Sequence, residues 1–83
     1  MTQQKTIKFK SYPDMFEKEK SGKKRNTIRV FDSKDIRENI LLQWIEENFP
    51  LDIIIKNTNT EEVFGRKVTD VSVWNGMYII SWW

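Results

Sequence analysis

The N-terminal stretch Thr6-Ile7-Lys8-Phe9-Lys10 alternates strictly between polar and apolar side chains. Such alternation is typical of a strand that is buried on one face only. We therefore expect a first strand here, with Ile7 and Phe9 pointing inward and the lysines pointing outward.

A second alternation runs from Asn26 to Phe31. It places Ile28 and Val30 on one face of a predicted strand and Thr27 and Arg29 on the other. Residues two apart on one strand face are separated by about 7 Å. Thr27 and Arg29 are therefore expected to stand side by side.

Two segments follow the period of a helix. A short helix is predicted to begin at Ser11-Tyr12-Pro13-Asp14, where a proline and an acid favour a first turn, and to end near Gly22, which tolerates positive φ. A longer helix is predicted over residues 33–48, capped by Asp32-Ser33 and ended by Pro50. Its predicted apolar face consists of Ile36, Ile40, Leu41, Trp44 and Ile45.

The C-terminal half predicts three further strands. Leu51 to Lys56 is an isoleucine-rich run that favours a central strand. Glu62 to Trp74 predicts a long strand whose apolar phase slips between Gly65 and Asp70, which indicates a bulge or a bend. Asn75-Gly76 then predicts a type I′ turn into a last strand, Met77 to Trp82.

The predicted order is therefore β-α-β-α-β-β-β. A chain of 83 residues is one domain, residues 1–83, and its four Trp, five Phe and two Tyr supply a core of large side chains. We predict an α+β fold: a small, strongly bent, mostly antiparallel β-barrel of about five strands with two helices packed against it.

The composition excludes several kinds of functional site. The chain contains no Cys and no His, which removes disulfides, thiolate zinc sites and the commonest general base. We therefore expect no metal and no cofactor. No apolar run approaches the roughly 20 residues that span a bilayer, and the N-terminus has no apolar signal segment. These features favour a cytoplasmic protein without a membrane partner.

The charges are distributed unevenly, although the net charge is only +2. Residues 1–34 carry ten basic and four acidic side chains, whereas residues 35–83 carry four basic and eight acidic ones. A basic face beside an acidic body suits a polyanionic ligand. A solvated lysine-rich surface accounts for the same composition, so charge alone does not decide between them.

The most informative stretch is Gly22-Lys23-Lys24-Arg25-Asn26-Thr27-Ile28-Arg29. It resembles the G-x-K-x-x-[E/T]-x-R motif of the ASCH domains, which are PUA-like barrels. Phe9 and the segment Tyr12 to Glu17 are similar to the strand and helix that precede this motif in the family. The resemblance covers residues 6–31, and the last three strands match only in order and patterning. It implies a PUA-like barrel and RNA binding, and many members of the family are of unknown function or come from phages.

One branch of the family, similar to bacterial acetylcytidine amidohydrolases, uses a lysine and a threonine of this motif with a distant glutamate. By position these are Lys24 and Thr27, and Glu61 and Glu62 are the candidates for the glutamate. A threonine hydroxyl needs a base to become a nucleophile, and a lysine serves as one only where its neutral form is favoured. The simpler interpretation is that Thr27 is an ordinary strand residue and that Lys24 is a solvated turn lysine.

Binding requires less of these residues than catalysis. The cations can meet phosphates, Arg29 can donate paired hydrogen bonds, and exposed aromatic rings can stack on bases. We predict that the domain binds RNA or a nucleotide- or nucleoside-type ligand. The predicted ligand contacts are Tyr12, Lys23, Lys24, Arg25, Thr27, Arg29 and Trp74. Two alternatives remain: an amidohydrolase acting on an N-acylated cytidine-like nucleoside, and a phage protein-interaction module that uses exposed tryptophans as anchors.

Overall fold

A computed structural model describes residues 4–83 of the chain. Seven elements follow one another in the predicted order β-α-β-α-β-β-β. They are β1 (Lys5–Ser11), α1 (Pro13–Ser21), β2 (Asn26–Arg29), α2 (Ile36–Glu47), β3 (Leu51–Asn57), β4 (Val63–Trp74) and β5 (Met77–Trp82).

The five strands form one sheet in the order β1-β3-β4-β5-β2. β1 is parallel to β3, and the other three pairings are antiparallel. The sheet curls into a half-barrel whose two edges are β1 and β2, and the two helices pack against it. The α+β prediction of a small, bent, mostly antiparallel barrel with two helices is confirmed.

The long strand β4 produces the bend. Its first part pairs with β3 from Val63 to Lys67, and its second part pairs with β5 from Val68 to Trp74. The register shifts between Val68 and Asp70, inside the interval in which the sequence predicted a bulge. An extra residue in one strand increases the local twist, so β4 can serve both halves of the curled sheet.

The core fills the concave side of this sheet. Ile7 and Phe9 are buried, as the alternation of β1 predicted, and Phe16 of α1 packs edge-to-face on Phe64 at 5.3 Å between ring centroids. The buried apolar residues are Ile7, Phe9, Phe16, Leu41, Trp44, Leu51, Ile53, Ile55, Phe64, Val68, Val71, Tyr78, Ile80 and Trp82.

Helix α2 begins later than the sequence predicted. Its N-cap is Asp35, whose Oδ1 accepts a hydrogen bond from the backbone N–H of Arg37 at 3.0 Å, so the predicted cap at Asp32-Ser33 is wrong. Leu41 and Trp44 are buried, but Ile36 is 70% exposed. A narrow row of side chains on α2 packs against β4, and the first turn of the helix lies outside the core. No helix within residues 4–83 is long and apolar enough to cross a bilayer.

Strand β2 presents its polar face to the interior. It pairs with β5 so that Thr27 lies opposite Ile80, and Thr27 is buried while its neighbour Ile28 is 52% exposed. Val30, beyond the end of the strand, is 74% exposed. The inward side chains of this edge strand are therefore a threonine and a half-buried arginine, Arg29. Because the polar face of β2 points inward, Thr27 and Arg29 can contribute to the candidate site.

Candidate functional site

Buried polar side chains from β1, α1 and β2 form one hydrogen-bonded network. Arg29 connects them: its Nε donates to Thr27 Oγ1 at 2.9 Å, and its Nη2 donates to Ser11 Oγ at 3.0 Å. Ser11 Oγ in turn donates to Glu19 Oε1 at 2.8 Å. Ser11, Glu19 and Thr27 are 6%, 1% and 3% exposed, so the network lies below the surface.

The turn after α1 adds Lys24 to this network. Gly22 ends the helix with φ of 86°, a conformation that glycine adopts at little cost, and Lys24 N then donates to Lys18 O at 3.0 Å. This arrangement directs the Lys24 ammonium back toward the helix. Its Nζ donates to Asn26 O at 3.1 Å and lies 3.8 Å from Glu19 Oε2. Lys24 and Glu19 thus form an ion pair across the turn.

A cavity of about 290 Å³ opens directly above these groups, and we call it the motif pocket. Its polar lining includes Glu19, Lys24, Thr27 and Arg29. Its remaining lining includes the Tyr12 ring, Met15 and Ile28, which are 77%, 39% and 52% exposed. The pocket therefore has a charged floor and an apolar, partly aromatic rim.

Several polar atoms of the floor have hydrogen-bonding capacity to spare. Within residues 4–83, Thr27 Oγ1 accepts from Arg29 but donates its own proton to no residue. Glu19 Oε2 faces Lys24 at 3.8 Å, beyond hydrogen-bond length. An ammonium group has three donor protons, and among residues 4–83 Lys24 Nζ donates one of them, to Asn26 O. The pocket thus offers a carboxylate acceptor beside two kinds of donor.

Arg29 supplies positive charge to this partly buried site. Burial lowers the pKa of Arg29 from its ordinary value and is the largest influence, while Glu19 acts in the opposite direction. A guanidinium stays protonated at neutral pH because its ordinary pKa lies far above that pH. Arg29 therefore balances the buried Glu19 carboxylate while its hydrogen bonds go to uncharged oxygens.

The structure brings Glu19, rather than Glu61 or Glu62, next to Lys24. Glu61 pairs with Lys56 at 3.2 Å, and Glu62 pairs with Lys20. Sequence reasoning overlooked Glu19, although a signal was present: it follows the buried Phe16 by three residues and so lies on the inward face of α1. Within residues 4–83, no group of three or more His, Cys, Asp or Glu is placed to hold a metal ion.

The remaining predicted contacts lie around the pocket or away from it. Lys23 is exposed and lines a separate small cavity beside Glu17. The Arg25 guanidinium lies 5.9 Å from the centroid of the Trp83 ring. Trp74, 66% exposed beside the hairpin turn, does not line the motif pocket. The predicted residues that the structure brings together are thus Tyr12, Lys24, Thr27 and Arg29.

Comparison with known proteins finds no match to this chain among family models, curated proteins or solved structures.

Proposed function

We propose that this domain binds RNA or a nucleotide-type ligand and holds a nucleobase in the motif pocket. The observation that carries the proposal is the buried Glu19 carboxylate, which lines the cavity together with Lys24 and with a Thr27 hydroxyl whose proton is not donated within residues 4–83. A polar cluster of this kind is costly to bury unless it is satisfied. Each group of this cluster has at least one partner within the protein, and its remaining donor and acceptor capacity is what the open cavity offers to a ligand.

The donors and acceptors of the floor complement the edge of a nucleobase. A carboxylate accepts hydrogen bonds from an exocyclic amino group, as Glu and Asp do from the N4 amino group of cytosine. In the proposed complex, Lys24 and Thr27 donate to the neighbouring carbonyl oxygen or ring nitrogen. The exposed Tyr12 ring at the rim supplies a stacking surface, and base–aromatic stacking contributes about 1–3 kcal/mol per base.

The resemblance to the ASCH motif supports the same function. Residues 22–29, which carry the resemblance, form the turn and the strand that place Lys24, Thr27 and Arg29 at the pocket floor. We therefore assign the chain, as a proposal, to the PUA-like ASCH domains. RNA as the ligand agrees with the cytoplasmic location that the composition favours.

The proposal is tested by titrating the ¹⁵N-labelled protein at low salt with cytidine monophosphate and with a short single-stranded RNA. We expect amide shifts to change among residues 10–29, and we expect Lys24→Met to weaken binding at least fivefold because it removes a donor from the floor. Lys23→Met is the matched control, since it removes a neighbouring lysine that lies outside the pocket. Unmoved amides in this range with both ligands would refute the proposal.

A second candidate function is hydrolysis of an N-acylated nucleoside by Thr27. The observation in its favour is that the Thr27 hydroxyl proton is not donated within residues 4–83, while Glu19 and Lys24 line the same pocket. Against it, Lys24 donates to Asn26 O and forms no hydrogen bond with Thr27 in that range. Incubation with acetylcytidine followed by chromatography separates the two functions: only a hydrolase releases acetate faster than its Thr27→Val variant.

A further inference from the structure

A second and larger cavity lies beside the motif pocket. It has a volume of about 840 Å³ and follows the outer faces of β1 and β3. Its charged lining consists of Lys8, Lys10, Arg29, Arg37, Lys56 and Glu61, and we call it the basic groove. We propose that the basic groove binds the phosphodiester backbone of a single-stranded nucleic acid. The proposal rests on the proposed function, because it concerns the same ligand and extends its contact beyond one base.

The strand register sets the spacing of the lysines. Lys8 and Lys10 point outward from β1 on the same face, about 7 Å apart along the strand. Lys10 lies opposite Lys56 of β3, and Lys8 lies opposite Ile54. The cations therefore form a row along one strand and continue onto its neighbour. Such a row suits a ligand that carries regularly repeated negative charges.

The two arginines form a rigid wall of the groove. Arg29 Nη1 donates to Lys10 O at 2.8 Å, and Arg37 Nη1 donates to Lys8 O at 2.7 Å. Each guanidinium carbon also lies 4.7 Å from the centroid of the buried Phe9 ring. Because the guanidinium groups occupy these carbonyls at the sheet edge, an added peptide strand would have to displace them. This occupation favours a ligand bound through charge over a peptide bound at the edge.

The net positive charge of the groove comes from its lysines, because Arg37 pairs with Asp35 at 2.6 Å and Arg29 balances the buried Glu19 carboxylate. Glu61 is its one acidic lining residue among residues 4–83, and it pairs with Lys56 at 3.2 Å. Lys8 and Lys10 form no ion pair within the same range, so two ammonium groups are uncompensated. Contacts from lysine and arginine to phosphates supply affinity without reading sequence. The partly exposed Ile54 side chain adds an apolar surface between the cations.

The groove and the motif pocket are adjacent, since Lys10 and Arg29 line both of them. A base in the pocket therefore places its own phosphate near the start of the row of cations. A mononucleotide fills the pocket, whereas an oligonucleotide continues into the groove. The arrangement requires a base that is not paired with a second strand, and it predicts that affinity rises with strand length.

The test compares two variants that remove equal charge. Lys8→Gln/Lys56→Gln changes residues that line the groove and not the pocket, and Lys18→Gln/Lys34→Gln changes exposed lysines that line neither. Binding of a fluorescein-labelled ten-nucleotide cytidine RNA is followed by anisotropy at about 50–200 mM salt. We expect the groove variant to lose at least tenfold in affinity and its salt slope to fall by about 1.4, since each phosphate contact on a single strand contributes about 0.7. We expect the control variant to stay within about twofold of the wild type.

Cytidine monophosphate separates the two proposals. If the groove variant binds it normally and binds the RNA weakly, the groove is supported. If the groove and control variants lose RNA affinity equally, or neither loses any, the groove is refuted while the motif pocket remains. If RNA binding depends on the groove but the monophosphate does not bind and Lys24→Met has no effect, the pocket is refuted and the groove remains. If the wild type binds neither ligand, both proposals are refuted.

Discussion

Arg29 on β2 donates a hydrogen bond of 2.8 Å from Nη1 to the carbonyl oxygen of Lys10 on β1. These two strands are the opposite edges of the five-stranded sheet, so one side chain joins the ends of the half-barrel. The same guanidinium donates hydrogen bonds to Ser11 and Thr27, and thereby connects the motif pocket with the basic groove. Closure of the sheet and formation of the candidate sites thus depend on the same residue.

Replacing Arg29 should therefore weaken the whole fold. We expect Arg29→Met to lower the free energy of unfolding by roughly 2–3 kcal/mol, because it removes three hydrogen bonds from a charged donor and leaves the buried Thr27 Oγ1 unpaired. Arg29→Lys should recover only part of the loss, since an ammonium lacks the planar fork that spans three acceptors. Urea unfolding measures both. Arg25→Met, at an exposed arginine, is the control and should change stability by less than about 0.5 kcal/mol. Equal effects at positions 25 and 29 would contradict the closing role of Arg29.

The aromatic rim of the motif pocket provides a prediction about binding. Tyr12→Ala should weaken the binding of cytidine monophosphate by about 1–3 kcal/mol, because it removes the stacking surface. The ring is 77% exposed, so the thermal midpoint should change little. Calorimetric titration measures the affinity. Trp74→Ala removes an aromatic ring of similar exposure that lies outside the pocket, and it should leave the affinity unchanged. A larger loss from Trp74→Ala than from Tyr12→Ala would place the ligand elsewhere.

The N-cap of α2 predicts a contribution to acid sensitivity. Hydrogen bonds from Arg37 lower the pKa of Asp35 from its ordinary value. Because the folded pKa lies below the unfolded one, the stability from the ionised form is complete above the unfolded pKa of about 3.9 and is lost as the pH falls from there through the folded pKa. Asp35→Asn should remove this part of the acid dependence, as urea midpoints between neutral pH and about pH 2.5 would show. Asp32→Asn, at the cap position predicted from the sequence, should keep the wild-type dependence. The opposite pattern would restore Asp32 as the functional cap.

Two glycines of the barrel should respond differently to alanine. Gly76 has φ of 75° and open space where a Cβ would lie. We therefore expect Gly76→Ala to lower the free energy of unfolding by about 1–2 kcal/mol, through backbone strain alone. Gly65 has no positive φ, and a Cβ there would meet its nearest atom, Ile53 O, at an ordinary 3.8 Å. We expect Gly65→Ala to stay within about 0.5 kcal/mol of the wild type. Thermal unfolding of the two variants measures the difference, and a hairpin that tolerates Gly76→Ala as easily would not be the type I′ turn seen here.

Features that depend on neighbouring residues were predictable from the sequence. Asn75 and Gly76 have φ of 52° and 75°, as the type I′ turn predicted from this dipeptide requires. Gly22 ends α1 in the left-handed conformation, and the phase slip in β4 marks the observed bulge. In each case the local backbone preference or the local alternation of side chains determines the turn, the helix end or the bulge, because few other conformations are compatible with these residues.

Tertiary structure decided which side of β2 faces inward and which carboxylate reaches Lys24. Alternation places Thr27 and Ile28 on opposite faces, but it does not say that the threonine is the buried one. Thr27 is buried because β2 pairs with β5 and because Arg29 donates to acceptors on β1. Both β5 and β1 are distant from β2 in the sequence. Glu19 is buried because Ser11 and Lys24 converge on it from two other segments. A charged or polar group can be buried only where such partners meet, and only the folded chain brings them together.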